Sequence, residues 1–211
     1  MKTPTKILAW HFVASKLRDG RAIPRVGSVL KQSGDIILCE NGLHGSVRIL
    51  DAPQYAPYET KWICRTEHRG VIVEHGNNKL ASSERVILWK VEADPILRKF
   101  ARMCALDVIH LWDAPDIVKK YLKTGKEEYR AAAWAAAGAA AGTAARDASG
   151  AAVIAAARAA SRAAAVATAG AAAVAASRAA AVDASVDAAW AAARAAQNTR
   201  LTRLVTQARK K

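Results

Sequence analysis

Short runs of alternating hydrophobic and polar residues fill the first 93 positions, a pattern typical of β-strands. The apolar run Ile7–Val13 predicts a buried strand. Asn41-Gly42 is a turn signal, and Ser46 is expected to cap a short helix over Val47–Leu50. The further predicted strands are Ser28–Leu30 and Asp35–Cys39 as a hairpin around Ser33-Gly34, then Thr60–Thr66, Gly70–Glu74 and Arg85–Val91.

From Asp94 the hydrophobic spacing changes to that of a helix. Asp94 stands at a capping position and Pro95 at the first helical position, where proline is favoured. A second helix is predicted to begin within Asp113–Asp116 and to run through Lys123, with Gly125 as its terminating glycine. The apolar positions of the first helix are Ile96, Phe100, Met103, Cys104, Val108 and Leu111.

Residues 134–198 repeat in fours, with alanine in most positions. Alanine is the strongest helix former, so the repeat predicts helix. Four residues advance about 400° around a helix, so the non-alanine position drifts about 40° per repeat and gives no fixed coiled-coil seam. One straight helix would be roughly 100 Å long. We favour a chain folded back near Gly150 or Gly170, because small side chains allow close packing.

These patterns define an α+β fold, in which a small, mostly antiparallel sheet domain precedes helices and a long Ala-rich helical extension. The extension would be one helix or a folded-back helical hairpin. The predicted segments are 1–93 for the sheet-rich domain, 94–130 for a helical segment packed on it, 131–199 for the Ala-rich repeat and 200–211 for a basic tail.

The net charge of +14 is shared evenly between residues 1–130 and 131–211. A positive surface favours contact with nucleic acid or with an anionic membrane surface, although it also serves solubility. Cations at a helix C-terminus suit the helix dipole, or they contact phosphates. With few aromatic residues nearby, nucleic-acid binding there would have little sequence specificity. The candidate contact residues are Arg200, Arg203, Arg209, Lys210 and Lys211.

Three cysteines at unrelated spacings indicate no disulfide framework, which fits a reducing cytoplasm, here that of a bacterial host cell. No apolar run reaches the roughly 20 residues that a membrane span needs. Cys64 and His68 lie too far apart along a strand to share a zinc ion. We therefore expect no metal site, with Cys64 buried and His68 exposed.

An unusual cluster, Cys39–Ser46, follows the aromatic strand segment Ala9–Phe12. With the later segments, it resembles an uncharacterised family of phage and bacterial proteins that have a G-[LF]-H-x-[SC] turn and a repetitive tail. The resemblance covers about residues 7–92 and implies no established activity. The segments that carry it are Ala9-Trp10-His11-Phe12, Gly42-Leu43-His44-Gly45-Ser46, Asp51-Ala52, Tyr55-Ala56-Pro57, Cys64-Arg65 and Lys79-Leu80-Ala81.

The same region has a weaker similarity to ADP-ribosyltransferase-like folds. That similarity implies that His11 would bind the ribose of NAD and that an aromatic residue would stack on nicotinamide, at the place of His44 or Tyr55. Glu84 would polarise the ribose or activate the acceptor. The alternative is that His11 is a core histidine and that Glu84 pairs with a neighbouring cation on the surface.

Two hypotheses follow. The leading one is a non-catalytic accessory protein of phage or prophage type, without a cofactor. It would act through self-association of the Ala-rich region or through a partner such as nucleic acid, because no complete catalytic motif occurs. The alternative is an NAD-dependent, ADP-ribosyltransferase-like enzyme that uses His11, His44, Tyr55 and Glu84.

Overall fold

A computed structural model describes residues 6–57, 59–76, 78–146, 151–164, 169–181 and 186–210. The chain divides into two units: Met1–Asp94 together with Thr202–Lys211, and Pro95–Leu201. The first, the sheet unit, contains every strand of the described residues, and the second, the helical unit, is built from helices. The predicted α+β class is therefore confirmed.

The sheet unit is formed by five antiparallel strands. Strand β4 lies between β1 and β5, and β2 and β3 both pair with the other edge of β5. Strand β1 has the bounds that the sequence predicts. The strands are β1 Ile7–Val13, β2 Val29–Lys31, β3 Leu43–Gly45, β4 Trp62–His75 and β5 Lys79–Glu92.

Two predictions about strand pairing were wrong. Thr60–Thr66 and Gly70–Glu74 belong to the single strand β4, which continues through an irregularity between Arg69 and Ile72. There Gly70 has φ 73°, and the backbone N–H of Val71 donates to Ser83 Oγ. Strand β2 pairs with β5, and Asp35–Cys39 forms no strand but a turn closed by bonds between Ile37 and Asn41.

Beyond β3 the chain crosses to β1. The backbone of Ser46 exchanges two hydrogen bonds with that of Trp10, with N···O distances of 2.8 and 2.9 Å. The predicted helix over Val47–Leu50 is absent, and a 3₁₀ turn forms later, at Ala52–Tyr55, where Pro53 suits the first turn. Because β3 pairs with β5 while Ser46 pairs with β1, the sheet curls and brings β3 across β4.

The helical unit begins as its sequence predicts. The first helix α1 starts at Asp94, and α2 ends before Gly125, whose φ of 67° and N–H bond to Tyr121 O mark a glycine terminus. The helices are α1 Asp94–Asp107, α2 Asp116–Thr124, α3 Arg130–Arg146, α4 Ala151–Ala164, α5 Ala169–Ala181 and α6 Val186–Arg209.

The Ala-rich region is not one straight helix, because α4 packs against both α3 and α5. Predicted break residue Gly150 lies outside the described residues, and α5 begins next to Gly170. Small buried side chains make these contacts, with Ala137, Ala157 and Ala173 fully buried. Among the helices of the described residues, none is long and apolar enough to cross a membrane.

Candidate functional site

Four strands of the sheet unit contribute one polar cluster. His68 of β4 is directly opposite Arg85 of β5, so both side chains lie on the same face of the sheet. His11 of β1 is on that face too, opposite Cys64. The curl of the sheet adds His44 of β3, whose backbone carbonyl accepts a hydrogen bond from Arg85. We call His11, His44, His68 and Arg85 the histidine–arginine cluster.

Arg85 is buried without a carboxylate partner. Its exposure is 4%, and its Nη1 donates to His44 O at 2.9 Å. Its Nε is buried and has no hydrogen-bond partner. None of the ion pairs between described residues includes Arg85, and the acid that acts on it electrostatically, Asp19, is bonded to Arg21. Burial lowers the pKa of Arg85 to about 10, so the side chain still carries its charge at neutral pH.

His68 is fully buried, contrary to the predicted exposure. Its Nε2 lies 3.1 Å from Thr66 Oγ1 and its Nδ1 lies 2.8 Å from Ser82 Oγ. Burial, followed by the charge of Arg85, lowers the pKa of His68 to about 3. The neutral ring therefore donates from one nitrogen and accepts at the other. Both hydroxyls also bond the backbone, Thr66 Oγ1 donating to Ala9 O and Ser82 Oγ donating to Glu84 O.

His11 and His44 keep unused ring nitrogens. His44 Nε2 accepts the backbone N–H of Cys39 at 3.1 Å. Burial, then the charges of Lys79 and Arg85, lower the pKa of His44, so the neutral ring carries its proton on Nδ1. Burial and Arg85 lower the pKa of His11 well below its usual value. Within the described part of the chain, neither His44 Nδ1 nor the ring of His11 has a hydrogen-bond partner, and both residues are partly exposed.

Tyr55 lies beside this cluster rather than in it. Its ring is half exposed and carries Lys79 Nζ at 4.7 Å from the centroid. The same Nζ is 2.8 Å from Cys39 Sγ. Cys39 has φ 71°, a left-handed conformation that is uncommon for a non-glycine residue. Among the described residues, Tyr55 is thus connected to His44 through Lys79 and Cys39.

Glu84 is not brought to the histidines. It is opposite Lys31 and Arg69 in the sheet and forms a 3.1 Å ion pair with Lys31. Adjacent residues of a strand point to opposite faces, so Glu84 lies on the face away from Arg85. The structure thus joins His11 and His44 to two residues that the sequence analysis did not select, His68 and Arg85.

The opposite face of the sheet carries a row of aromatic and cationic side chains. Trp10, Arg65 and Trp89 are directly opposite one another on β1, β4 and β5. Arg65 Cζ is 4.5 Å from the ring centroid of Trp10, and the two tryptophan centroids are 5.6 Å apart, edge to face. Arg209 of α6 lies over Trp89 at 5.1 Å. Trp10 itself is buried, and we call the more exposed members of this row, Arg65, Trp89 and Arg209, the basic–aromatic surface.

The predicted basic tail divides into two groups. Arg203, Arg209 and Lys210 are exposed, and none of the ion pairs between described residues includes them. Arg200, in contrast, pairs through both terminal nitrogens with the carboxylate of Asp107. The fifth predicted contact, Lys211, lies outside the described residues.

Neither a metal nor a reactive core thiol is indicated. The described residues contain no group of three His, Cys, Asp or Glu side chains arranged to hold a metal ion. Burial raises the pKa of Cys64 to about 11 and that of Cys104 to about 12, so both thiols stay protonated and unreactive at neutral pH.

Residues 7–99, less than half of the chain, match the sequence profile of a family described as a domain of unknown function (DUF7666). This match supports the expected resemblance to an uncharacterised family and coincides with the strands that carry both candidate sites. No curated protein and no solved structure matches the chain.

Proposed function

We propose that this chain is a non-catalytic accessory protein of phage or prophage type, that it works in the bacterial cytoplasm, and that its partner is nucleic acid. The observation that carries the binding proposal is the basic–aromatic surface. In the parts that the structure describes, no carboxylate pairs with Arg65 or Arg209, so both charges remain available to phosphates. Exposed Arg203 and Lys210 extend that charge along the end of α6.

The histidine–arginine cluster supports binding better than catalysis. General acid–base catalysis favours a group with a pKa near the working pH. The pKa of His68 is far below that range, and burial also lowers the pKa values of His11 and His44. No carboxylate among the described residues hydrogen-bonds to their rings, so a nucleophile, a base and an orienting acid are not assembled there.

Of the two binding modes, a partner is favoured over self-association. Self-association through the Ala-rich region would need exposed small-residue faces. The alanines at the centres of α4 and α5 are instead buried by contacts within the chain. We expect light scattering of the full chain to give the monomer mass, and a concentration-dependent dimer would restore the self-association proposal.

The nucleic-acid proposal is tested by fluorescence anisotropy with a labelled single strand and a labelled duplex. Binding should weaken steeply as salt rises, because phosphate contacts release counterions. The triple variant R203Q/R209Q/K210Q should reduce the slope of log K against log salt by about 2 for the single strand and nearly 3 for the duplex, since each lost phosphate contact contributes roughly 0.7 and 0.9, respectively.

The matched control is K99Q/K123Q/R178Q, which removes the same charge from exposed positions of the helical unit. A localised contact predicts that the control binds like the unmodified protein. Equal losses in both variants would show that net charge alone drives binding, and no anisotropy change at about 50 mM salt would overturn the proposal.

An NAD-dependent enzyme is the second candidate, because the structure gathers His11 and His44 around one cluster. The position of Glu84 weighs against it. If NAD is the substrate, millimolar NAD should raise the melting temperature by mass action, and His11→Ala or Glu84→Ala should abolish label transfer from NAD. No NAD-dependent shift and no transfer would exclude this candidate.

A further inference from the structure

The histidine–arginine cluster presents hydrogen-bond donors that the protein itself does not use. Arg85 Nε is buried and unpartnered, and its Nη2 makes no hydrogen bond to any residue that the structure describes. His44 adds Nδ1–H, and neutral His11 adds one N–H in either tautomer. A buried donor left without a partner lowers stability, and it does so more strongly when it is charged. A ligand with hydrogen-bond acceptors would satisfy these donors.

Electrostatics around the cluster favour a negatively charged acceptor. Arg18 and Lys79 add positive charge near His44, and Arg21 adds it near Arg85. The nearby carboxylate of Asp19 already accepts hydrogen bonds from Arg21, from its backbone N–H and its Nε, and forms an ion pair with its Nη2. Burying a charge is costly unless it is paired, so a ligand anion would supply the missing partner of Arg85.

We propose that Arg85, His11 and His44 form a binding site for the phosphate group of a small-molecule ligand. The planar guanidinium offers two parallel donors that match two phosphate oxygens, and the imidazoles supply donors to the remaining oxygen. This site lies on the face opposite to the basic–aromatic surface and is independent of it.

His68 positions the site without contacting the ligand. Both of its ring nitrogens are occupied by Thr66 and Ser82. Gly45 packs directly against it, since a Cβ at residue 45 would lie 2.6 Å from His68 Nε2. The absence of a side chain at Gly45 therefore lets β3 approach β4 and hold His44 over Arg85.

The test is a titration of the full chain with inorganic phosphate, pyrophosphate and acetate at matched ionic strength. The readouts are ¹⁵N shifts of the histidine rings and the melting temperature. We expect phosphate or pyrophosphate to shift the rings of His11 and His44 and to raise the melting temperature, while His68 changes little. A response to acetate equal to that to phosphate would overturn the assignment to phosphate, and no shift with any anion would overturn the site.

Variants separate the site from general charge. Arg85→Lys keeps the charge but loses the two parallel donors of the guanidinium, and it should weaken phosphate binding about tenfold or more. Arg65→Gln, on the other face, should leave phosphate binding unchanged. If Arg85→Lys does not fold, the partly exposed His11 provides the test: His11→Phe should weaken binding severalfold, and His11→Gln, which restores an N–H, should recover part of it.

Equal phosphate affinity in Arg85→Lys, His11→Phe and the unmodified protein would contradict the proposal. Nucleic-acid binding by the same samples reports separately on the basic–aromatic surface, so failure of one site does not imply failure of the other.

Discussion

The sheet unit and the helical unit bury different chemistry. The sheet unit encloses a charged arginine and a histidine, together with Thr66, Ser82 and the hydrophobic group around Val13 and Ile87. The Ala-rich helices bury methyl groups, and their buried polar side chains in the described parts are Ser177 and Gln197, which bond each other. The sheet unit therefore buries ionisable groups that are costly to desolvate within a hydrophobic core, whereas the described Ala-rich helices bury mostly alanine.

This difference locates the chemistry of the protein. Buried ionisable groups lower stability unless they are paired, so their presence in a small sheet is a sign of a ligand site. The described Ala-rich helices satisfy Ser177 and Gln197 internally, since Ser177 Oγ donates to Gln197 Oε1 and Gln197 Nε2 donates to Ala173 O, both at 3.1 Å. Elsewhere in the helical unit, the buried indole N–H of Trp112 has no hydrogen-bond partner among the described residues.

The largest contrast is expected between two tryptophans. Trp10 is 6% exposed and its ring contacts both Arg65 and Trp89, whereas Trp134 on α3 is 54% exposed. Trp10→Ala should lower the free energy of unfolding by about 3–5 kcal/mol, and Trp134→Ala should change it by less than about 0.5 kcal/mol. Urea unfolding followed by far-UV circular dichroism measures both. A comparable loss in the two variants would mean that α3 uses Trp134 in a contact.

As the pH falls, the sheet unit should lose stability at a higher pH than the helical unit. The pKa of His68 is about 3 in the folded state, against about 6.5 when unfolded. The unfolded chain therefore binds the proton first, and stability falls as pH drops from about 6.5 towards 3. The slope is roughly 1.4 kcal/mol per pH unit for such a histidine. His11 and His44, whose pKa values burial also lowers, contribute in the same direction.

Hydrogen-exchange protection factors at pH 7 and pH 4 provide the measurement. Amides of β4 and β5 should lose protection at pH 4, and those of α4 and α5 should lose less. His68→Asn, which does not titrate in this range, should flatten the pH dependence of the sheet unit. Parallel losses in both units would show that acid acts on the whole chain.

Overpacking tests how tightly the Ala-rich helices meet. Ala137 on α3 is fully buried, and Ala135 on the same helix is exposed. Ala137→Leu should cost about 1–3 kcal/mol because the added methylenes have no space, while Ala135→Leu should be within about 0.5 kcal/mol of the unmodified protein. Chemical unfolding of the pair gives the comparison, and a neutral Ala137→Leu would show that the helices can separate.

Local signals predicted some elements to the residue and missed others. Strand β1 follows from its apolar run, the start of α1 from Asp94-Pro95 and the end of α2 from Gly125. Each of these signals acts locally in the sequence. The pairing of β2 with β5 could not be found in this way, because its partner lies more than 50 residues later in the chain. The irregularity at Gly70 likewise depends on the distant Ser83.

The sequence predicted two of the four residues of the histidine–arginine cluster as site residues. His11 and His44 were predicted as site residues because the similarity to ADP-ribosyltransferase-like folds implies roles for them in binding NAD. His68 could have been recognised by continuing the alternation from Cys64 through Thr66, which places it on the buried face. Arg85 gave no such signal, because its lack of an acidic partner is a property of the folded sheet.

Glycine gives the smallest and most direct comparison of the two units. Gly138 is exposed within α3, where alanine is the better helix former, so Gly138→Ala should stabilise the protein by about 1 kcal/mol. At Gly45 the same added methyl group would lie 2.6 Å from His68 Nε2 and 3.0 Å from Ala9 Cβ. Gly45→Ala should therefore destabilise the protein, by at least about 1 kcal/mol. Thermal unfolding of the two variants should give shifts of opposite sign. A stable Gly45→Ala variant would require that β3 can move away from His68, and His44 would then no longer be held over Arg85.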